Sequence, residues 1–324
     1  MPLRTVLCYP VEPHHCQQLA AVSPELEIVN AGQEGIANEL PTADIFIGHA
    51  KVPVPWDDVV QAGRLQWIQS SAAGLDHCLV PAVIDSSIRV TSASGLFAHQ
   101  VAEQTIALLA GIYRSLPTFY HAQQKKQFIR RPTRDLRGAT IGIAGFGGNG
   151  RRIAEVMAGF ETRILATDMY PWDCPSHVDQ LWPAEKFNEM LPLVDVLILC
   201  VPLTPQTTGM IDHDALQKMR PGSVLINVAR GPVVVERDLI DALQTSHLYA
   251  AGIDVTEIEP LPPNSPLWEL PNVVITPHVG AQSARRVDDT TDLACENLRH
   301  FLDRQPLVNL VDKQLGYPAR CPAG

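Results

Sequence analysis

The sequence predicts an α/β protein of two domains, each a parallel sheet covered by helices, with the smaller domain discontinuous. Three observations carry this. Short apolar runs rich in β-branched residues alternate with helical periodicity along almost the whole chain, the pattern of a parallel sheet buried on both faces. The chain has 324 residues, and roughly 150 residues per domain gives two. A hydrophobic fraction of 46% supplies a sizeable core and argues against disorder.

In order, residues 1–96 read as strand 5–9 (TVLCY), helix 14–22, and strands 26–29, 43–48, 65–70 and 88–92. A long helix over 97–116 opens the second domain, residues 97–282. Val101, Gln104, Thr105, Leu108, Leu109 and Ile112 approximate helical spacing there. Six strands follow, in 139–147, 162–168, 194–201, 223–229, 249–255 and 272–276, which suits a dinucleotide-binding sheet. Residues 285–304 read as a helix. The first region lacks a last covering helix, so residues 283–324 are expected to return to it.

Charge and cysteine usage narrow the class. A net charge of −10 repels nucleic acid and anionic lipid. The basic stretch 123–137 (QQKKQFIRRPTRDLR) reads as an exposed connector. Cysteines stand at 8, 16, 78, 174, 200, 295 and 321 without a C-x-x-C, which suggests reduced thiols. With no signal-peptide-like or membrane-length apolar run, a cytoplasmic location is expected. His14, His15, His49, His77 and His99 lack convincing ligand spacing, so no metal is assigned.

The chemistry starts at IGIAGFGGNGRRIAEVMAGF (141–160), where Gly145, Gly147 and Gly150 form G-x-G-x-x-G with Gly148 and Asn149 between the last two. An apolar strand precedes it and an amphipathic helix follows, which raises a weak pattern to a phosphate-binding turn. The helix N-terminus offers free N–H groups to a pyrophosphate. Asp168 lies 18 residues past Gly150, at the end of the next strand, where an acid accepts both ribose hydroxyls. A 2′-phosphate would be repelled there, and MYPWD (169–173) brings no cation, so NAD is favoured over NADP. Arg151 is either a further pyrophosphate contact or a solvated charge.

Three residues lie just beyond three strands: Arg230 after SVLINVA, Glu259 after YAAGIDV, and His278 after NVVIT. Singly, each reads as a surface ion-pair partner, a loop charge or a turn histidine. Together they make a reactive set. A guanidinium fork grips a carboxylate and its neighbouring carbonyl, an imidazole trades protons near neutrality, and a carboxylate steadies the imidazolium. Beside a nicotinamide, that set suits reversible hydride transfer between NAD(H) and a 2-oxo/2-hydroxy acid.

The chain resembles the D-isomer-specific 2-hydroxyacid dehydrogenases through nearly its whole length. The resemblance rests on GFGGNG, VPLTPQTTGMID (201–212), LINVARGPVV, GIDVTEIEPLP (252–262) and TPHVG, in family order. It implies a Rossmann-type NAD-binding domain over 97–282 and a flavodoxin-like substrate domain over 1–96, completed by 283–324. It implies catalytic roles for Arg230, Glu259 and His278. NAD contacts are implied around Val201, Pro202, Thr204, Asn227, Ala229, Asp254 and Gly280. The substrate carboxylate is expected on backbone N–H groups near Ala73 and Gly74 of SSAAGLD (70–76), with Arg230 and His278 also touching substrate. Members are usually homodimers joined through a region matching 97–137.

EPLPPNSPLW tilts the expected substrate toward glyoxylate or hydroxypyruvate, again by resemblance. Three alternatives stay open. A 3-phosphoglycerate dehydrogenase would need cations in the substrate domain, where Lys51, Arg64 and Arg89 are available. A non-enzymatic NAD(H)-sensing corepressor resembles the same family. A hydrolase using NAD internally on adenosyl compounds shares the sheet but not the ARG, EP and PH set.

Overall fold

The computed structural model describes residues 2–318. It divides into two compact units, Met1–Phe97 with Ser283–Gly324, and Ala98–Gln282. Cys321 lies outside the described residues.

The first unit is a five-stranded parallel sheet of β1 (Leu3–Cys8), β2 (Leu26–Asn30), β3 (Ile45–Gly48), β4 (Trp67–Ser70) and β5 (Arg89–Thr91), in the order β2-β1-β3-β4-β5. That is the flavodoxin-like order. The central strands carry uninterrupted apolar runs because both faces are covered; Phe46, Ile47, Trp67 and Ile68 are fully buried. The crossovers are α1 (Pro13–Ala20), α2 (Gly32–Glu39), α3 (Trp56–Ala62) and α4 (Pro81–Ile84).

The second unit opens with α5 (Ala98–Tyr113) and α6 (Leu116–Gln124). The helix expected over 97–116 is α5, which ends at Tyr113; α6 beyond it was not expected. Ser115 adopts a left-handed φ of 55° between them, and Pro117 sits in the first turn of α6, where its missing N–H costs nothing. The connector read from residue 123 starts two residues later.

The sheet that follows contains β6 (Thr140–Ala144), then α7 (Gly148–Ala158), β7 (Arg163–Asp168), β8 (Gln180–Pro183), α8 (Phe187–Met190), β9 (Val196–Leu199), α9 (His213–Lys218), β10 (Ser223–Asn227), α10 (Glu236–Gln244), β11 (Leu248–Ile253) and β12 (Val273–Ile275). Its order is β12-β11-β10-β9-β6-β7-β8, all parallel. The order reverses between β6 and β9, the switch point of a doubly wound sheet. Seven strands stand where six were expected. The extra strand, β8, has the sequence QLWP and pairs from Leu165↔Gln180 to Asp168↔Pro183 at the sheet edge. A strand ending in proline is tolerated only at an edge, and four residues give little sequence signal.

The chain then returns to the first unit as α11 (Arg286–Leu302). Leu298, Ala294 and Cys295 are buried against Leu7, Leu19 and Trp67. Tyr9 Oη and Thr291 Oγ1 are 3.0 Å apart, and Asn297 Nδ2 donates to the buried Gln69 Oε1 at 2.7 Å. His14, His15 and Asp288 gather here although the sequence spacing showed no cluster. His15 Nδ1 accepts the Glu12 N–H at 3.0 Å, so Nε2 carries the ring proton and donates to Asp288 Oδ1 at 2.9 Å. That nitrogen offers no lone pair to a metal; the bond ties α11 to α1. No helix among the described residues is long and apolar enough to cross a membrane.

Candidate functional site

The turn after β6 is built by close approach. Gly145 has φ +90°, and a methyl group there would sit 2.8 Å from the Cys200 carbonyl. A methyl on Gly150 would overlap the Gly145 carbonyl oxygen, so only glycine lets α7 start this near the strand. Beyond Gly147, by contrast, space is open for at least 4 Å. The N-terminal N–H groups of α7, including those of Gly148 and Asn149, meet no side-chain cap. This is the cradle that a dinucleotide pyrophosphate fits.

Asp168 closes β7 beside it. Its Oδ2 accepts the Phe146 N–H at 2.6 Å and its Oδ1 the Tyr170 N–H at 2.9 Å. The acid therefore braces the glycine loop as well as standing where a ribose would lie. Arg151 is paired with a carboxylate rather than left to solvent. Its fork grips the Asp173 carboxylate and carbonyl at 3.0 Å each, with its guanidinium 4.8 Å from the Phe146 ring centre.

On the other half of the sheet, Asn227, Ile253 and Ile275 end β10, β11 and β12 in one register. Arg230 and His278 each follow three residues after their strand; Glu259 follows six after its own. Neighbouring strands thus deliver all three to one end of the sheet. His278 Nδ1 lies 2.8 Å from Glu259 Oε2. A carboxylate only accepts, so the ring Nδ1 donates, and Nε2 is the nitrogen not bonded to Glu259. Both side chains are about two-fifths exposed, and an exposed pair adds roughly 0–1 kcal/mol to stability. Its consequence is orientation rather than stability.

The loops are locked from below. Asp254 is buried; its Oδ1 accepts from Thr276 Oγ1 at 2.6 Å and Val279 N at 3.0 Å, and its Oδ2 from Gly280 N at 2.8 Å. Gln104 Nε2 donates to Thr276 Oγ1 at 2.8 Å. This knot holds His278 at φ +55°, a left-handed conformation sparsely populated by non-glycine residues. Glu259 Oε1 accepts the Thr256 N–H at 3.2 Å. Asn227 Oδ1 accepts the Ala229 N–H at 3.0 Å, and its Nδ2 donates to the Arg230 carbonyl at 3.1 Å. Arg230 Nη1 donates to the Ala229 carbonyl at 2.7 Å.

Gly231 explains the arginine–glycine–proline junction. A methyl on it would overlap the carbonyl of Thr256, three residues before Glu259. The Arg230 turn and the Glu259 loop therefore touch backbone to backbone. Thr256, Thr276 and Gln104 were not foreseen as site residues. Gln104 and Thr276 bond partners 172 and 22 residues away, and Thr256 meets Gly231 through its backbone, which no local pattern encodes.

Val201, Pro202 and Thr204 follow β9, where Thr204 Oγ1 and Thr207 Oγ1, 3.2 Å apart, knit a turn. In the first unit, Ala73 and Gly74 lie in the loop after β4, near residues held by Ser70 Oγ, which accepts the Ala72 N–H at 3.1 Å. Arg286 Nη2 donates to the Ser71 carbonyl at 3.4 Å, and its guanidinium lies 4.5 Å from the Phe97 ring centre. Of the three cations considered for a substrate phosphate, Arg64 is bidentate on Asp44 at 2.9 and 3.1 Å, and Arg89 lies over Phe301. Lys51 is exposed.

Comparison with known proteins gives the same direction. A D-3-phosphoglycerate dehydrogenase of Mycobacterium leprae is 32% identical over 80% of this chain, and the match spans about half, 49%, of that longer protein. A glyoxylate reductase of Thermofilum pendens is 32% identical, over 78% of this chain and 77% of its own. The crystal structure of a D-isomer specific 2-hydroxyacid dehydrogenase of Xanthobacter autotrophicus, in complex with NADPH and MES, matches with a TM-score of 0.83 at 26% identity. It covers 98% of this chain and 100% of that one. The sequence model for the D-isomer specific 2-hydroxyacid dehydrogenase, NAD binding domain, matches residues 106–280. With more than half its length inside that match, the chain belongs to the D-isomer specific 2-hydroxyacid dehydrogenases, a family of oxidoreductases acting on the CH–OH group of 2-hydroxy acids.

Proposed function

We propose that this protein is an NAD-dependent dehydrogenase that interconverts a small 2-oxo acid of the glyoxylate or hydroxypyruvate type with its D-2-hydroxy acid. The observation that carries the proposal is the 2.8 Å His278–Glu259 pair, set at the strand ends beside Arg230, in the sheet that also bears the glycine turn. Bound NADH would supply the hydride. The residues to hold it are Gly145, Gly147, Gly148, Asn149, Gly150 and Asp168 at one half of the sheet. Val201, Pro202, Thr204, Asn227, Ala229, Asp254 and Gly280 serve toward the nicotinamide.

In the reduction direction, Arg230 grips the substrate carboxylate and polarises the 2-oxo group through its planar fork. His278 Nε2 donates a proton to the substrate oxygen as C2 is reduced. Glu259 keeps Nδ1 protonated and the ring aimed. In oxidation the same atoms run in reverse. Asp168 supports NAD over NADP, because a 2′-phosphate would meet its carboxylate with no cation from residues 169–173. Arg64 is engaged with Asp44 and Arg89 with Phe301, which leaves exposed Lys51 alone of the three cations for a phosphate and supports an unphosphorylated substrate over 3-phosphoglycerate. A cytoplasmic homodimer remains the expected setting.

The test is cofactor oxidation, followed with NADH and NADPH in parallel, over glyoxylate, hydroxypyruvate, pyruvate and 3-phosphohydroxypyruvate. Preference for NADH with one of the unphosphorylated acids is expected. Turnover confined to the phosphorylated acid would establish the 3-phosphoglycerate reading instead. No turnover, with NADH still binding, would favour the sensing protein.

A further inference from the structure

At the opposite end of the second sheet from Arg230, a polar cavity of about 380 Å³ opens where β6 and β10 begin. Three arginines, Arg134, Arg137 and Arg220, and two aspartates, Asp135 and Asp195, line it, so a chain of net charge −10 carries a locally positive hollow here. Both acids are already engaged. Asp195 Oδ1 receives Arg220 Nη1 at 3.0 Å and its Oδ2 the Thr140 N–H at 2.8 Å, while Asp135 Oδ1 receives Arg114 Nη1 at 2.9 Å. Arg137 holds Glu161 at 2.8 Å.

Arg134 differs. It donates through Nη1 to the Gly222 carbonyl at 2.7 Å and lies 3.6 Å from the Tyr249 ring centre. Among the described residues no carboxylate pairs with it. Next to it in the lining, Ser223 is 2% exposed, and its Oγ has no hydrogen-bond partner among the described residues. A buried hydroxyl without a partner is unfavourable unless something completes it, and beside it stands a half-buried guanidinium without a counter-charge. Tyr113 lines the same hollow; burial pushes its hydroxyl up to about 12, so it keeps its proton as a donor.

We infer that this cavity is a binding site for a small dianion, a phosphate monoester or a dicarboxylate, held by the Arg134 fork with the Ser223 hydroxyl and rimmed by Arg220. The geometry suits the ligand class: a fixed planar fork for two oxygens and neutral donors for the others. All the groups belong to one unit, and none belongs to the candidate active site.

The experiment titrates inorganic phosphate and, separately, malonate into the NADH-saturated protein, at ionic strength held constant with chloride, and follows the thermal midpoint. Saturating NADH blocks the glycine turn. Repeating the titration in Arg230→Gln removes anion binding at the candidate active site, so failure here is separable from failure there. A saturable rise in midpoint is expected with at least one probe. Response to phosphate alone assigns a phosphate monoester; response to both assigns a broader dianion site. Arg134→Gln should weaken the response about tenfold or more, the loss of a charge-assisted pair, with NADH affinity unchanged. Arg134→Lys keeps the charge and separates fork from point charge. Should Arg134→Gln fail to fold, Ser223→Ala, which removes a hydroxyl without a partner, carries the test. Absence of a saturable response in the wild type, or equal affinity in the Arg134 and Ser223 variants, overturns the assignment.

Discussion

Replacing Gly231 by alanine adds one carbon, and the structure indicates where it goes. That methyl would overlap the Thr256 carbonyl and lie 2.6 Å from the Glu257 nitrogen. Carbon and oxygen sit comfortably at roughly 3.5 Å, so the Thr256 backbone must retreat by about 1 Å or more. The retreat cannot stay local. Thr256 N–H is bonded to Glu259 Oε1 at 3.2 Å, and Glu259 Oε2 holds His278 at 2.8 Å. Overpacking of this kind costs about 1–3 kcal/mol of stability, and misplacing a reacting group by about 1 Å costs roughly 100-fold in rate. The assay is steady-state NADH oxidation with the preferred 2-oxo acid, alongside NADH binding by fluorescence and thermal unfolding. Gly231→Ala should lose about two orders of magnitude in kcat/KM while NADH binds almost as before, since the glycine turn lies on the other half of the sheet. An alanine variant as active as wild type would show that the Arg230 turn and the Glu259 loop move independently, and the reasoning would fail.

Other outcomes follow from the same geometry. Arg230→Lys should lose roughly 100-fold or more in kcat/KM, because a point charge cannot replace the fork; near-normal kinetics would remove the assigned role. Glu259→Gln should lower kcat about tenfold or more yet leave the melting temperature nearly unchanged, since an exposed pair stabilises by roughly 0–1 kcal/mol; a large drop in melting temperature with intact kcat would reverse that assignment. NADH should give a clearly higher kcat/KM than NADPH, and equal use would remove Asp168 from cofactor choice. Burial pushes the thiols of Cys8 and Cys295 up to about 11 and that of Cys200 up to about 12. These groups stay neutral at pH 8, so iodoacetamide should label exposed Cys174 first, and mass mapping checks this. Because their folded values lie above the ordinary 9.0, the stability they contribute is full below pH 9 and is lost as pH rises toward 11.

Much of the fold class was legible because parallel strands buried on both faces leave continuous apolar runs, as at VLILC and SVLIN. What escaped was whatever burial does not write. β8 is a four-residue edge strand, and the break at Ser115 interrupts an apolar periodicity that carries on past it. For the candidate site, residue type and position after a strand singled out Arg230, Glu259 and His278. Which atoms meet was not legible. Asp254 was named for a cofactor contact, but that its carboxylate also bonds three groups 22 to 26 residues away was not legible. Arg151 looked solvated or phosphate-directed because its partner, Asp173, lies 22 residues further along.

The return of α11 has a consequence for biosynthesis. Trp67, Leu7 and Leu19 reach a finished hydrophobic environment only against residues beyond 283. A ribosome therefore exposes the opening ninety-odd residues long before the segment that covers them exists. Residues 98–282 contain every strand of their own sheet and are complete first. Emergence from the exit tunnel and maturation run in different orders, and the earliest-made portion is the one most in need of a chaperone's shelter.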